Sequence, residues 1–178
     1  MVYNAEKYLE ECIKSILNQT MNLTDIEAIF VDDNSSDKSY EIVSKYQKEF
    51  PESIKLKKLD VNSGSGGKPR NIGIDLATGK YLMFSDADDF FANDAFETMY
   101  NAIEEKNADF ITSNWSYTNS KGNPWKTPVF GINTYEDFKL SPEDYNKTVY
   151  VMNSSMCNKI FNREFINQNN IRCLEDIP

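Results

Sequence analysis

The tetrad Asp86-Ala87-Asp88-Asp89 packs three carboxylates into four residues. Like charges held that close cost free energy unless a cation compensates them. Such an oxygen donor set suits Mg²⁺, Mn²⁺ or Ca²⁺ rather than zinc. A divalent ion there would hold a diphosphate and neutralise charge on a leaving group. The plain alternative is a solvated acidic turn ahead of the helix that starts near Asn93, and the tetrad alone leaves the two level. An EF-hand loop is excluded, because Phe90 and Phe91 stand at the fifth ligand position and at the required glycine. The chain has no His, so a general base must be Asp or Glu, or less often Lys, Tyr or Cys.

Two further constellations accompany the tetrad. Asp32-Asp33-Asn34-Ser35 doubles a carboxylate where a single Asx or Ser would suffice to cap a helix. The run Ser63-Gly64-Ser65-Gly66-Gly67-Lys68-Pro69-Arg70-Asn71 offers backbone N–H groups, a helix start and two cations to a phosphate. It reads equally well as a flexible surface turn. Neither nucleotide-loop fingerprint fits it. Pro69 stands where GxGxxG needs its last glycine and where a P-loop needs Ser or Thr after Gly67-Lys68.

The elements that must position these residues alternate. An apolar stripe of Tyr8, Leu9, Cys12, Ile13, Ile16 and Leu17 predicts a helix over 5–18. Residues 27–31 form a short apolar run that ends in Asp32, a buried strand. Ser35 or Ser36 is placed to cap a helix carrying Tyr40, Val43, Tyr46 and Phe50, closed by Pro51. A strand over 54–59, a short helix with Pro69 in its first turn and a strand over 81–84 follow. Asn93 or Asp94 is placed to cap a helix bearing Phe96, Met99, Tyr100 and Ile103, and 109–114 reads as a fourth strand. Helices between strands argue for a doubly wound α/β sheet, where ligands bind beyond the carboxyl ends of the strands. All three polar constellations follow strands, so they converge on one sheet edge. After residue 115 the pattern weakens, with one helix legible over 163–169.

The chain has 178 residues, enough for one domain, and a formal net charge of -9. The acidic balance disfavours nucleic acid and anionic membranes as partners. No apolar run approaches the ~18 residues of a membrane span, and the first residues carry no signal-peptide pattern. Three cysteines, Cys12, Cys157 and Cys173, without CxxC spacing point to a reducing, cytoplasmic setting, compatible with a peripheral place at the inner membrane face in a longer protein. Cys12 falls on the apolar helix face and reads as a small buried hydrophobe.

Five stretches in order resemble the glycosyltransferase family 2 catalytic domain of GT-A fold. They are Val2-Tyr3-Asn4-Ala5-Glu6-Lys7-Tyr8-Leu9, Ser15-Ile16-Leu17-Asn18-Gln19-Thr20, Val31-Asp32-Asp33-Asn34-Ser35-Ser36-Asp37, Lys68-Pro69-Arg70-Asn71-Ile72-Gly73 and Phe84-Ser85-Asp86-Ala87-Asp88-Asp89. The Gly-Gly-Lys-Pro-Arg-Asn form is similar to bacterial enzymes that decorate teichoic acids or other cell-surface polymers. The resemblance implies a Rossmann-like, doubly wound mixed sheet flanked by helices. It implies residues 1–114 as the nucleotide-sugar-binding part and 115–178 as an acceptor-side elaboration. It implies inverting transfer of a sugar from a nucleotide-diphosphate donor, UDP-linked, to a hydroxyl of a glycan or polyol-phosphate polymer. Tyr3 and Asn4 would line the nucleoside pocket. Asp33 would accept a hydrogen bond from the base, with Asp32 close by. Asn62 and Arg70 would approach the nucleotide or diphosphate, Asp86 the ribose or sugar, and Asp88 would bind Mn²⁺ or Mg²⁺.

Two departures from the family pattern stand out. Met1 occupies a position where the family usually has Pro, and the first strand that normally precedes it is not in the sequence, so both ends read as cut. The family base usually lies in a Glu-Asp pair after a Lys-x-Phe segment, here Lys159-Ile160-Phe161. Glu175-Asp176 is such a pair, which makes Asp176 the candidate, but it comes early and points to a base beyond residue 178. Two rivals stay open. A sugar-nucleotide nucleotidyltransferase shares the metal logic but usually carries an early Gly-rich loop, which this sequence lacks. A non-catalytic sugar-nucleotide or glycan-binding module of a larger protein is the other.

Overall fold

A computed structural model describes residues 1–113 and 155–175. Candidate base Asp176 and most of the weakly patterned stretch after Trp115 lie outside the described residues.

Helix α1 (Leu9–Leu17) buries Leu9, Cys12, Ile13 and Ile16, the stripe its spacing requires. It starts later than expected, because residues 6–8 form a turn. Strand β1 (Ala28–Asp32) pairs in parallel with β2 (Ile54–Lys58), Ala28 opposite Ile54 and Asp32 opposite Lys58. Helix α2 (Ser39–Glu49) connects them. Val2, Leu9, Ile13, Val43 and Ile54 are at most 1 % exposed and form the centre of the larger core. Each such side chain stabilises the fold by about 1.5–3 kcal/mol relative to exposure. On the far edge of β1, Val2 makes a single parallel bridge: its N–H donates to Val31 O at 2.9 Å and its carbonyl accepts from Asp33 N at 2.8 Å.

Helix α3 (Gly67–Leu76) follows the glycine-rich run, with Pro69 in its first turn as expected. Strand β3 (Tyr81–Met83), helix α4 (Ala95–Lys106) and strand β4 (Phe110–Thr112) complete the first part of the chain. Strand β5 (Lys159–Asn162) and helix α5 (Arg163–Gln168) come from the second. The second sheet has the order β3-β5-β4, antiparallel on both sides of β5. Its middle strand therefore crosses the division expected at residue 114. An apolar cleft of about 590 Å³ separates the two sheets, walled by Val2, Phe30, Ile74, Leu82 and Met83. Among the described residues no helix is long and apolar enough to cross a membrane.

Two expected caps are replaced by other side chains. Ser35 and Ser36 do not cap α2. The Ser39 N–H is taken instead by Asp37 Oδ1 at 2.9 Å. Neither Asn93 nor Asp94 caps α4 through its side chain. Buried Gln19, just past α1, accepts the Phe96 N–H at 2.9 Å and donates to Ala92 O at 2.7 Å. A side chain that satisfies an orphan helix N–H from another element also fixes how the two elements sit. Here it fixes the start of α4 against the end of α1.

Candidate functional site

Beyond the carboxyl end of β1, Asp33 is 2 % exposed and heavily engaged. Its Oδ1 accepts Ser63 N–H at 2.9 Å, and its Oδ2 accepts Ser63 Oγ–H at 2.8 Å and Asn62 Nδ2–H at 3.2 Å. Asn62 Nδ2 also donates to Asp33 O at 3.0 Å. A carboxylate has about four acceptor sites, so one remains for a ligand donor. The Asn62 carbonyl accepts Gly64 N–H, and Gly64 turns at φ +76, a conformation that favours glycine. Asp33 thus pins the start of the glycine-rich loop.

Asp32 is completely buried. Its Oδ2 accepts Ser35 N–H at 3.3 Å, while among the described residues Oδ1 has no hydrogen-bond partner. A buried acceptor left unmet costs about 1–3 kcal/mol.

Residues 3–6 are clamped to the loop after β1 by reciprocal bonds. Asn4 N donates to Ser35 Oγ at 3.1 Å, Asn4 Oδ1 accepts Ser36 N–H at 2.9 Å, and Ala5 N donates to Ser39 Oγ at 2.8 Å. Glu6 N donates to Asp37 Oδ2, and Lys38 N returns a bond to Glu6 Oε2. Asn4 sits at φ +48 and Asn34 at φ +59, both in the left-handed region that Asn tolerates. The clamp occupies the Asn4 carbonyl and leaves Tyr3 47 % exposed beside it.

Beyond β3, the Arg70 guanidinium donates to Asp86 Oδ1 at 2.5 Å, a half-buried ion pair. Arg70 comes from the first turns of α3, so the pair ties the glycine-rich loop to the tetrad. Oxygens of Asp86 and Asp89 and the sulfur of Cys157 lie within 4.8 Å of one another. Partial burial, then the charges of Asp86 and Asp88, hold the Asp89 carboxyl above its ordinary value. Burial, then the charge of Asp86, pushes the Cys157 thiol up to about 11. Of these three groups the two carboxylates are the hard oxygen donors that a divalent cation such as Mg²⁺ or Mn²⁺ prefers. Asp88 is exposed and lies outside that group. Cys12 is buried below, its thiol raised by desolvation, as a small core residue would be.

Sequence reasoning missed the fourth wall of the site. Residues 172–175 lie across the start of α3. Asn71, 8 % exposed, accepts Cys173 N–H at 2.8 Å and donates to Cys173 O at 3.0 Å and Glu175 Oε1 at 2.8 Å. Ser65 Oγ donates to Glu175 O, and Arg172 pairs with Asp75 at 3.1 Å. A Cβ on Gly67 would stand 2.0 Å from Leu174 O, and one on Gly66 would stand 2.3 Å from the Arg70 guanidinium. The paired glycines were the readable signal: they mark where another backbone comes close.

The site therefore unites Asp32, Asp33, Asn62, Arg70 and Asp86, with Tyr3 and Asn4 at its rim and Asp88 on the exposed side. The family model for glycosyl transferase family 2 matches residues 1–168. A poly(ribitol-phosphate) beta-glucosyltransferase of Bacillus spizizenii is 39 % identical over 123 residues, covering 69 % of this chain and 19 % of its own length. The Staphylococcus aureus poly(ribitol-phosphate) beta-N-acetylglucosaminyltransferase TarP is 31 % identical over 182 residues, covering 92 % of this chain and 54 % of its own. A crystal structure of S. aureus TarS 1–349 in complex with UDP superposes with a TM-score of 0.77 at 27 % identity, covering 98 % of this chain and 48 % of that one. The chain thus spans between a fifth and about half of these relatives. The likeness to TarS meets the expected GT-A architecture.

Proposed function

The chain belongs to glycosyl transferase family 2, and we propose that it forms the donor-binding part of an enzyme that transfers a sugar from a UDP-linked donor to a hydroxyl of a polyol-phosphate polymer. One observation carries the reading. The glycine-rich loop joins two strand-end carboxylate clusters: Asp33 holds its start through Asn62 and Ser63, and Arg70, in the helix that follows it, grips Asp86. The UDP bound to TarS and the poly(ribitol-phosphate) named for the relatives support the choice of donor and acceptor.

Asp33 takes the hydrogen bond of the base at its remaining acceptor site, with Asn62 and Ser63 fixing its carboxylate. Buried Asp32 holds the turn through Ser35. Tyr3, set by the Asn4 clamp, covers the nucleoside. Arg70 faces the diphosphate and shares its charge between that group and Asp86. Asp88, beside the neighbouring oxygens of Asp86 and Asp89, would hold Mn²⁺ or Mg²⁺ with them, and the ion would supply Lewis-acid neutralisation of the leaving diphosphate. Asp176 takes the proton of the acceptor hydroxyl. The hydroxyl oxygen then bonds to the anomeric carbon from the face opposite the departing oxygen, which leaves with the electron pair of the broken bond. The sugar inverts. Docking of residues 172–175 on α3 supports a place for the Glu175-Asp176 pair at the donor helix.

The test uses the intact protein with UDP-glucose or UDP-N-acetylglucosamine and poly(ribitol phosphate). Expected is UDP release that depends on the polymer, lowered about 10²–10⁴-fold by Asp176→Asn with UDP affinity unchanged. Pyrophosphate chemistry would instead identify a nucleotidyltransferase. UDP binding without turnover would identify a binding module.

A further inference from the structure

We infer that Asn71 is a positioning residue: it transmits the placement of the donor helix to the segment that carries the Glu175-Asp176 pair. The inference rests on the transfer reading above and goes beyond it by naming what couples the two halves of the reaction. Its basis is the hydrogen-bond pattern of a single side chain.

The Asn71 amide treats residue 173 as a strand partner would, accepting from its N–H at 2.8 Å and donating to its carbonyl at 3.0 Å. Two bonds to one residue's backbone fix both the position and the rotation of that segment, which a single bond would not. The same NH₂ group also reaches Glu175 Oε1 at 2.8 Å. That bond involves a charged acceptor, so it is among the stronger kinds. Asn71 is itself buried, and it is adjacent in sequence to Arg70, which grips Asp86. A shift of α3 at the diphosphate side therefore moves the strap with it.

The surroundings are built for this contact. Gly66 and Gly67 remove the side chains that would hold the strap away, since a Cβ on Gly67 would overlap Leu174 O at 2.0 Å. Ser65 and Asp75 bind the strap on either side of Asn71, through Glu175 O and Arg172. A merely structural polar contact would need none of this convergence on the first turns of the donor helix.

The test is kinetic and uses the intact protein. Asn71→Ala removes all three bonds. Misplacement of a reacting group by about 1 Å costs about a hundred-fold, so kcat is expected to fall about ten- to a hundred-fold. The dissociation constant for UDP is expected to stay within about two-fold, since uniform binding is untouched. Asn71→Asp keeps the acceptor for Cys173 N–H but sets a carboxylate against Glu175, and kcat falls similarly. Adding Glu175→Gln to Asn71→Asp supplies an amide donor for the new carboxylate, and kcat is expected to recover at least about three-fold over Asn71→Asp alone. An unchanged kcat in Asn71→Ala overturns the inference. So does an equal loss of kcat and UDP affinity, which would mean that α3 itself was damaged. If Asn71→Ala does not fold, the comparison of Asn71→Asp with the double variant decides alone, and no recovery overturns the inference. Failure of the wild-type protein to release UDP would instead sink the transfer reading.

Discussion

Two acidic clusters follow two strands of this protein, and they are built in opposite ways. Behind β1, Asp33 and Asp32 are buried, and Asp33 accepts three hydrogen bonds from Asn62 and Ser63. Behind β3, Asp86, Asp88 and Asp89 are half-buried or exposed and repel one another, and Arg70 pairs with Asp86. The first cluster spends its charge on organising a loop. The second keeps its charge available. A preorganised acceptor suits recognition of a neutral base, whereas an under-compensated set suits an incoming cation and the diphosphate that accompanies it.

The sharpest way to break this contrast is to remove one carboxylate from each cluster and measure thermal unfolding. Asp33→Ala removes three hydrogen bonds and strands the Ser63 N–H in a buried turn. It is expected to cost on the order of 3 kcal/mol, since bonds to a charged group are each worth about 1.5–3. At this chain length that lowers Tm by about 6–12 °C. Asp88→Ala is expected to leave Tm within about 2 °C, as exposed substitutions do. Equal losses would mean that the two clusters are one structural network.

A smaller effect tests whether the strap over α3 belongs with the second cluster. Gly67→Ala places a methyl group against Leu174 O and is expected to destabilise by about 1–3 kcal/mol, with the strap displaced. Gly73→Ala, in the same helix with nothing within 4 Å of its Cβ, is expected to stabilise by about 0.4–1 kcal/mol. Chemical denaturation of the two variants distinguishes a packed strap from a loose one. Matching values would remove the strap from the site.

The smallest effect concerns charge alone. Asp89 binds its proton more tightly in the native protein than in the unfolded chain, because partial burial and its neighbours Asp86 and Asp88 raise its pKa. A raised carboxylate pKa favours the fold below the ordinary value of 3.8 and loses that contribution as pH rises, so at neutral pH Asp89 is a net cost. Asp89→Asn is expected to raise Tm at pH 7 by about 1–2 °C. The gain should vanish below about pH 4 and on addition of Mn²⁺. A gain that persists at pH 3.5 would count against repulsion as its cause.

Much of the site was legible because it is local. Carboxylates that end apolar strands, Pro69 in a helix start and the Gly64 turn declare themselves within a few residues. What escaped was non-local. Strand β5 pairs with two strands far back in the sequence, and four residues of Lys-Ile-Phe-Asn carry too short a pattern to name a partner. Ser35 and Ser36 looked like caps, yet their partners lie back at Asn4, and no periodicity foretells that. Asn71 read as part of a phosphate loop, when its side chain serves a backbone 102 residues downstream. The metal group shows the same limit. The family resemblance implies Asp88, while the fold also places Asp89 and the distant Cys157 beside Asp86.

The central claim is that the second cluster holds a cation for a nucleotide diphosphate that the first cluster recognises. Calorimetric titration of the intact protein with UDP, with and without Mn²⁺, tests it most directly when repeated on Asp88→Ala. The account predicts that Mn²⁺ strengthens UDP binding in the wild type, and that Asp88→Ala weakens the Mn²⁺-dependent binding by roughly a hundred-fold, in line with the several kcal/mol such an ion supplies. UDP affinity that is identical with and without Mn²⁺, and unchanged by Asp88→Ala, would contradict it.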